Sequence, residues 1–446
     1  MLHKFIFKTG YLLKRSNVIR YYNNFQETQW QSFDWLIAQQ EKQLRKLVNF
    51  VYKNVPYYTN LFNQISVRPS SIATIKDLEK LPILTKQIIK HNWEEFIPIN
   101  IDKLKYKIGS TGGSTGEPLK YRMSIEDYEK GVTLLYRGWG YAGYKLGDKV
   151  AVIAGSSLIP DAKSNLKKKI QNLFLNCRDY SSFDMSEENL SKYFHDISNW
   201  KPNFIRGYAS AIYLFAKFIR ENNLKLEFRP EAIFTTAEKL FDKKRELIER
   251  IFNVKVFDNY GLNDGGISAY ECEKHNGMHI DTERAVLEVV DDNGRQVINQ
   301  KGKILATNLY NYALPFIRYD TGDLGVISDS KCTCDRKTPL LKEIAGRVTD
   351  FLKLNNIIIE SPVLTVLMGK FDIEQYQIIQ DSPTSMIIKI VRGKTYDKKR
   401  DEGIIKNSFF CHVGKINIEF QYVDSISATK AGKEKFIINN LIENQL

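Results

Sequence analysis

A segment rich in glycine and hydroxyl side chains, residues 109–120, offers the clearest chemistry in this sequence. Its first eight residues contain four glycines, two serines and two threonines. Glycines let successive backbone N–H groups turn toward one point, and the hydroxyls add further hydrogen-bond donors. The segment therefore predicts a loop that binds the oxygens of a phosphate group.

The same segment has a second interpretation. Its spacing fits neither the Walker loop nor the dinucleotide-binding motif, but Gly112–Gly116 matches the Gly-x-Ser-x-Gly elbow of serine hydrolases, with Ser114 as the nucleophile. That elbow leads into a helix, whereas Leu119, Tyr121 and Met123 alternate as in a strand. A hydrolase is therefore the alternative function. It would need a histidine beside Ser114, and the candidates are His195, His275, His279 and His412.

Cysteine and histidine spacing predicts a metal site. The odd number of cysteines, five, argues against a disulfide framework. Cys272 is followed by two histidines, and a Cys-x-Cys pair occurs sixty residues later. Thiolate and imidazole ligands suit tetrahedral zinc. We expect a structural zinc site formed by Cys272, His279, Cys332 and Cys334. His275 is the alternative to His279 as the imidazole ligand.

Taken in order, the motifs resemble those of the adenylate-forming enzymes, and most of all the branch of phenylacetate–CoA ligases and CapK-like capsular-polysaccharide proteins. In that family the phosphate loop is a run of hydroxyls and glycines that ends in a proline, as in Thr111–Pro118 here. Other matching segments follow along residues 40–440: Thr235–Glu238, Asn259–Asp264, Arg318–Asp323, Gly346–Asp350 and Thr429–Lys433.

The resemblance implies a role for each segment. Tyr260 would lie along the adenine, Asp264 would help to hold Mg²⁺, and Asp323 would bind the ribose hydroxyls. Lys433 would be the catalytic lysine, with Lys435 as its rival. The residues implied for ATP binding are Ser110, Thr111, Gly112, Gly113, Ser114, Thr115, Gly116, Glu238, Asn259, Tyr260, Gly261, Asn263, Asp264, Asp323 and Arg347.

Three positions depart from the family pattern. Gly112 stands where a serine is usual, which removes one phosphate donor. Asp264 is shorter than the usual glutamate, and Thr349 replaces the aspartate at which the C-terminal domain hinges. These departures leave a non-catalytic nucleotide-binding scaffold as a further alternative.

Charge and composition restrict the partners. The chain has 446 residues and a net charge of +13, but its basic residues are dispersed among 52 acids. We therefore expect attraction of ATP and a small carboxylic acid rather than of nucleic acid. No apolar run is long enough to span a membrane, and no secretory signal is recognisable. We expect a cytoplasmic protein, with homodimer formation left open.

Residues 1–26 are the exception, because they contain five Lys or Arg and no acid, with apolar side chains between them. The pattern favours either a peripheral membrane contact or a basic helix that packs on the protein.

The two remaining cysteines, Cys177 and Cys411, are predicted to be buried small side chains.

Apolar periodicity predicts the fold class. Residues 1–62 read as a helical lead-in. Short apolar strands then alternate with amphipathic helices, which predicts mainly parallel sheets covered by helices. Residues 277–345 predict a smaller antiparallel or barrel-like unit, and residues 346–446 a small α+β domain. We therefore expect an α/β protein with a large domain at 1–345 that binds nucleotide and acid, and a mobile lid domain at 346–446.

These expectations combine into one function. The resemblance implies an AMP-forming ligase that converts a carboxylic acid and ATP into an acyl adenylate and pyrophosphate. The acyl group would then pass to the thiol of coenzyme A or to an amine, in cell-surface polysaccharide biosynthesis for a CapK-like protein. The identity of the acid cannot be read from the sequence, because its pocket carries no fixed motif.

Overall fold

The computed structural model describes residues 2–110, 120–155, 165–182, 185–347, 351–355, 357–360, 364, 367–368, 370–427 and 435–443. The described chain forms two compact units. The larger contains the residues up to Thr321 and Gly325–Glu343, and the smaller contains Gly322–Leu324 and the residues from Ile344 onward. No helix among the described residues combines the length and the apolar character needed to cross a membrane.

Helices form the first part of the larger unit: α1 Leu2–Leu13, α2 Val18–Thr28, α3 Phe33–Asn54 and α4 Pro56–Gln64. In α3, Leu44, Leu47 and Val51 are fully buried, and the Ser32 hydroxyl caps the first turn. Pro56 has no N–H to continue α3 and instead occupies the first turn of α4. Helices thus occupy most of the segment that the sequence predicts as a helical lead-in. After α4 come four 3-10 helices and α5, namely Pro69–Ser71, Lys76–Lys80, α5 Lys86–His91, Trp93–Phe96 and Ile101–Lys103.

Thirteen strands follow along the described part of residues 106–347, and five helices lie between them. The strands are β1 Tyr106–Ser110, β2 Lys120–Ser124, β3 Val150–Ala154, β4 Cys177–Ser181, β5 Phe204–Tyr208, β6 Ala232–Thr236, β7 Val256–Leu262, β8 Ile267–Glu271, β9 Met278–Ile280, β10 Ala285–Val290, β11 Gly302–Asn308, β12 Tyr319–Ser328 and β13 Leu340–Arg347. The helices are α6 Ile125–Gly140, α7 Asn165–Leu175, α8 Glu187–Trp200, α9 Ala209–Glu221 and α10 Asp242–Phe252.

Eleven of these strands form one sheet, in the order β10-β11-β12-β13-β9-β8-β7-β6-β5-β3-β4. Strands β4, β3, β5, β6 and β7 are parallel, as the alternation of strand and helix predicts. Helix α6 packs closely on β8, because a Cβ on Gly138 would lie 2.3 Å from the ring of Tyr270. The predicted α/β fold class is confirmed.

The antiparallel region differs from its prediction in one respect. The sequence predicts that residues 277–345 form a smaller antiparallel or barrel-like unit. Strand β10 pairs antiparallel with β11, and β9 with β13, but these strands continue the sheet of the parallel strands. Strand β9 pairs with β8 on one side and β13 on the other, and these pairings extend the sheet.

The smaller unit is α+β. A two-stranded sheet contains β14 Phe351–Leu354 and β15 Ile357–Glu360. A four-stranded sheet has the order β18-β17-β16-β19 and comprises β16 Ile373–Ser382, β17 Ser385–Arg392, β18 Asn417–Tyr422 and β19 Ile437–Asn439. Helices α11 Lys398–Val413 and α12 Asn440–Glu443 complete it. Ile388 and Ile390 of β17 and Ile405 of α11 are fully buried in one apolar core.

Candidate nucleotide-binding edge and metal centre

The carboxyl ends of β6 and β7 carry two of the predicted nucleotide-binding segments. Ligands of open α/β sheets bind at this edge of the parallel strands. Glu238 follows β6, and its Oε2 accepts a hydrogen bond of 2.8 Å from the backbone N–H of Ser210, in the first turn of α9. Because Ser210 follows β5, Glu238 joins the ends of two neighbouring strands.

Asn259 of β7 presents an unsatisfied acceptor. Its Nδ2 donates to the Thr236 hydroxyl at 3.0 Å. Its Oδ1 is buried and has no hydrogen-bond partner among the described residues. A buried polar atom without a partner is costly, and a ligand that donates an N–H, such as the exocyclic amine of adenine, would remove that cost. Tyr260, Gly261 and Asn263 continue from Asn259 to the end of this strand and into the turn that follows.

Asp264 is buried in the turn after β7, and the Tyr319 hydroxyl donates to its Oδ2 at 2.7 Å. The hydrogen bond orients the carboxylate. Hard oxygen ligands of this kind suit Mg²⁺, which is usually bound through one or two carboxylates and the phosphates of the nucleotide. The residue type and its fixed orientation therefore fit the predicted metal.

The other predicted residues are found in several elements. Asp323 lies in β12 and is buried. Ser110 and Arg347 are the last residues of β1 and β13. Residues 111–116 and Lys433 lie outside the described residues. The backbone carbonyl of Lys435, the rival lysine, accepts a hydrogen bond of 2.9 Å from the Gln377 side chain.

The four predicted zinc ligands come together. Cys272 follows β8, His279 lies in β9, and Cys332 and Cys334 lie between β12 and β13. Their ligand atoms are all within 4.8 Å of one another, and the four side chains are at most 8% exposed. The Cys272 and Cys332 sulfurs are 3.6 Å apart, which is too far for a disulfide. We name this group the Cys/His cluster.

Hydrogen bonding directs one nitrogen of His279 into the Cys/His cluster. Its Nδ1 contacts the Thr338 hydroxyl at 2.9 Å, and its Nε2 is 3.2 Å from the Cys334 sulfur. Burial, followed by the positive charge of Arg336, lowers the pKa of His279 to about 4. The alternative ligand, His275, instead contacts the Glu271 carboxylate at 3.2 Å. Only His279 of the two belongs to the group of converging ligand atoms.

Three sulfurs and one nitrogen form a donor set typical of structural zinc. In a tetrahedral site with Zn–S bonds of about 2.3 Å, neighbouring sulfurs lie about 3.8 Å apart. The 3.6 Å between the Cys272 and Cys332 sulfurs is close to this value. Three thiolates around Zn²⁺ would carry one net negative charge. The positive charge of Arg336, which is also paired with Glu273 at 3.3 Å, acts on Cys334.

A second buried polar cluster lies under α6. Arg137 forms ion pairs with Asp281 and Glu283, and all three side chains are at most 9% exposed. The Thr28 hydroxyl adds a hydrogen bond of 2.7 Å to Glu283. We name Arg137, Asp281 and Glu283 the ion cluster. Its charges are paired within the protein, so it does not need a ligand.

Asp258 of β7 is a half-buried acid without an arginine of its own. The Thr235 hydroxyl donates to it at 2.6 Å, while Arg245 directs its guanidinium to Glu271 at 2.8 and 3.0 Å. Burial, followed by the negative charge of Glu271, raises the pKa of Asp258 to about 7.

Two comparisons show which proteins this chain resembles. The solved structure of 2-hydroxyisobutyryl-CoA ligase, in complex with an acyl adenylate, resembles this chain with a TM-score of 0.71 over 91% of both chains, at 17% identity. The chain therefore has the fold of the adenylate-forming CoA ligases. Phenylacetate-coenzyme A ligase of Thermus thermophilus is 24% identical over 408 residues, 90% of this chain and 88% of that enzyme.

A more particular relationship is to CapK. Protein CapK of Staphylococcus aureus is 27% identical over 414 residues, which are 91% of this chain and 90% of that protein. The profile of the CapK C-terminal domain matches residues 351–440 of the smaller unit. The resemblance stated from the motifs is confirmed, and the serine-hydrolase alternative gains no support from these relatives.

Several residues of these sites carry no recognisable sequence signal. Thr338 orients His279, Tyr319 orients Asp264, and the positive charge of Arg336 acts on Cys334. Each is a common residue type at a position without a motif. Of these three residues, only Arg336 lies next to a predicted ligand in sequence, two residues after Cys334. Its position is therefore the one signal that could have assigned such a residue to a site.

Proposed function

We propose that the protein is an AMP-forming ligase that activates a carboxylic acid with ATP. A carboxylate oxygen forms a bond to the α-phosphorus, the bond from that phosphorus to the bridging oxygen breaks, and pyrophosphate leaves. The observation that carries the proposal is the unsatisfied Asn259 oxygen at the carboxyl edge of the parallel strands. It supports adenine binding in a chain whose relatives over most of its length are CoA ligases.

The proposed roles follow from the chemistry of each residue. Residues 110–116 hold the departing phosphates, while Tyr260 lies along the adenine and Asp323 accepts from the ribose hydroxyls beside Arg347. Asp264 is the residue that would hold Mg²⁺, which supplies positive charge to the phosphates when bound. Lys433 supplies a further positive charge to the α-phosphate in the transition state. Residues 1–345 bind nucleotide and acid in this scheme, and 346–446 form the lid.

We further propose that the Cys/His cluster binds one structural Zn²⁺. All four positions of a tetrahedron would be filled by protein, which leaves no open position for catalysis. The acceptor of the acyl group is proposed to be the thiol of coenzyme A or an amine. The similarity to CapK favours a role in cell-surface polysaccharide biosynthesis.

ATP–pyrophosphate exchange tests the reaction and identifies the acid. The panel contains aromatic acids, fatty acids, amino acids and uronic acids. We expect exchange with one class, and Lys433→Ala should lower the exchange rate by roughly two to four orders of magnitude. Lys435→Ala is the matched control and should retain activity.

The alternatives give different results. A serine hydrolase would be labelled at Ser114 by a phosphonate and would form no AMP. A nucleotide-binding scaffold would bind ATP and exchange nothing with any acid. Loss of exchange in Lys435→Ala with full activity in Lys433→Ala would assign the catalytic role to Lys435.

A further inference from the structure

Helix α1 has two different faces. Phe7 is buried in the main apolar core, and Tyr11 packs against that core beside it. On the other face, Phe5, Leu12 and Leu13 are 69%, 66% and 74% exposed. Since Phe5 and Leu12 are seven residues apart, they lie on the same side of the helix. The helix is therefore anchored by one apolar face and presents a second one to the surroundings.

Helix α7 extends this exposed surface. A Cβ on Gly10 of α1 would lie 3.1 Å from the ring of Phe174, so the two helices touch at this point. Ile170 and Leu173, which lie within about one helical turn of Phe174, are 46% and 64% exposed. Leu13 lies within one turn of Gly10. Exposed apolar side chains of both helices therefore belong to one region of the surface, which we name the α1–α7 surface.

The charged residues within the two helices have one sign. Residues 2–26 contain Lys4, Lys8, Lys14, Arg15 and Arg20 and no acid. All five side chains are exposed. Lys4 makes one ion pair, with Asp148 at 3.5 Å. The sequence of α7 adds Lys167–Lys169, and no acid occurs within that helix.

We propose that the α1–α7 surface docks the protein on an anionic lipid bilayer. Exposed phenylalanine and leucine side chains flanked by lysine and arginine are the composition of helices that lie in the plane of a membrane interface. The lysines would face the phosphate-containing headgroups, and the apolar side chains would enter the region beneath them. This proposal is independent of the ligase chemistry.

Charge and chemistry distinguish this occupant from two others. A second copy of the chain would bring the same basic residues against each other, which like charges oppose. A nucleic acid would engage the basic residues but would leave the exposed leucines without a partner. A bilayer with anionic headgroups can contact both the basic residues and the exposed apolar side chains.

Co-sedimentation of the full chain with vesicles tests the proposal. Vesicles of phosphatidylcholine alone are compared with vesicles that also contain phosphatidylglycerol. We expect binding to the mixed vesicles that weakens as salt is raised, because salt screens the headgroup charge. The variant Leu12→Ser/Leu13→Ser should bind about tenfold more weakly, since its apolar contribution is lost. Lys8→Gln/Lys14→Gln should lower binding to the mixed vesicles and remove much of the salt dependence.

A matched control separates docking from general hydrophobicity. Ile99 is 72% exposed and lies elsewhere on the larger unit, so Ile99→Ser should bind vesicles like the parent protein. ATP–pyrophosphate exchange without vesicles should be equal in all variants, because none of these residues belongs to the proposed nucleotide site. Equal vesicle binding by the parent and by Leu12→Ser/Leu13→Ser would overturn the proposal. A dimer in light scattering that this variant abolishes would do so as well, because the surface would then be covered by a second copy.

Discussion

The Cys/His cluster and the ion cluster are both buried near α6 and differ in how their charges are balanced. In the ion cluster, Arg137 lies between the two carboxylates and forms an ion pair with each of them. In the Cys/His cluster, four donor atoms face one another, and the nearby Arg336 is paired with Glu273. Buried charges must be paired or must coordinate a metal. The comparison shows how the two kinds of buried cluster differ. Metal-ligating side chains that converge on one point, with no arginine or lysine between them, are the arrangement expected of a metal site.

Removal of one thiolate should have the largest effect. Zinc sites of this type contribute about 10–16 kcal/mol of apparent binding energy in small domains, so Cys332→Ser should lower the free energy of unfolding by roughly 5 kcal/mol or more. Elemental analysis of protein purified without a polyhistidine tag should give about one zinc per chain in the parent and none in the variant. Cys411→Ser, at an exposed cysteine, is the control and should keep the metal. If the parent contained no zinc and all five thiols titrated freely, the Cys/His cluster would not be a metal site, and the proposed difference from the ion cluster would be wrong.

Loss of the arginine at the centre of the ion cluster should come next. Arg137→Met leaves Asp281 and Glu283 buried without a cation, and this should lower the free energy of unfolding by about 3–5 kcal/mol, measured by urea denaturation. Adding Asp281→Asn and Glu283→Gln should recover part of the loss. The zinc content should stay at its parental value. A loss below about 1 kcal/mol would mean that the cluster behaves like an exposed ion pair.

Asp258 extends the comparison to an acid without its own cation. Since burial raises its pKa from 3.8 to about 7, the folded protein binds a proton that the unfolded chain has lost between these pH values. The stability that this carboxyl provides is therefore complete below pH 4 and is lost as the pH rises toward 7, by roughly 4 kcal/mol. Glu271 and Arg245 face Asp258, and His275 contacts Glu271.

The variant Asp258→Asn isolates this contribution. The difference in free energy of unfolding between the parent and Asp258→Asn, measured by urea denaturation from pH 4 to pH 8, should change steadily up to about pH 7 and then level off. A difference that is constant with pH would show that Asp258 titrates at its ordinary pKa.

The smallest effect is expected for an ion pair on the surface. Arg178 and Asp196 are paired with side chains 43% and 46% exposed. Arg178→Gln should lower the free energy of unfolding by less than about 1 kcal/mol, and high salt should make it smaller still. If Arg178→Gln lowered the free energy of unfolding as much as Arg137→Met does, the statement that burial makes an ion pair more important for stability would be wrong.

Local pattern was sufficient for much of the fold. The run Val150–Ala154 predicts β3 with its observed bounds, because a strand buried on both faces is a continuous apolar run. The position of the antiparallel strands was not predictable in this way. The pairing of His279 in β9 with Leu340 in β13 joins residues sixty-one apart, and alternation within a strand does not specify its neighbour.

The same reasoning explains which parts of the sites were predicted. Cysteine and histidine are rare in this chain, so their spacing is informative. Arginine and aspartate are common, and the pairing of Arg137 with Asp281 across 144 residues leaves no local trace. The prediction that Cys411 is buried was wrong, because it lies on an exposed face of α11, and Cys177 is half-buried rather than buried.

The junction of β9 and β13 has a consequence for how the protein folds. The chain leaves the centre of the sheet after β9, forms β10, β11 and β12, and returns beside β9. Closing so long a loop costs entropy that is recovered only when distant contacts form, which slows folding. A metal bound at the closure point would make the three outer strands open together with the inner ones. Amide hydrogens of β9 and β13 should then exchange much faster after chelation than before it, while those of β3 and β5 change little.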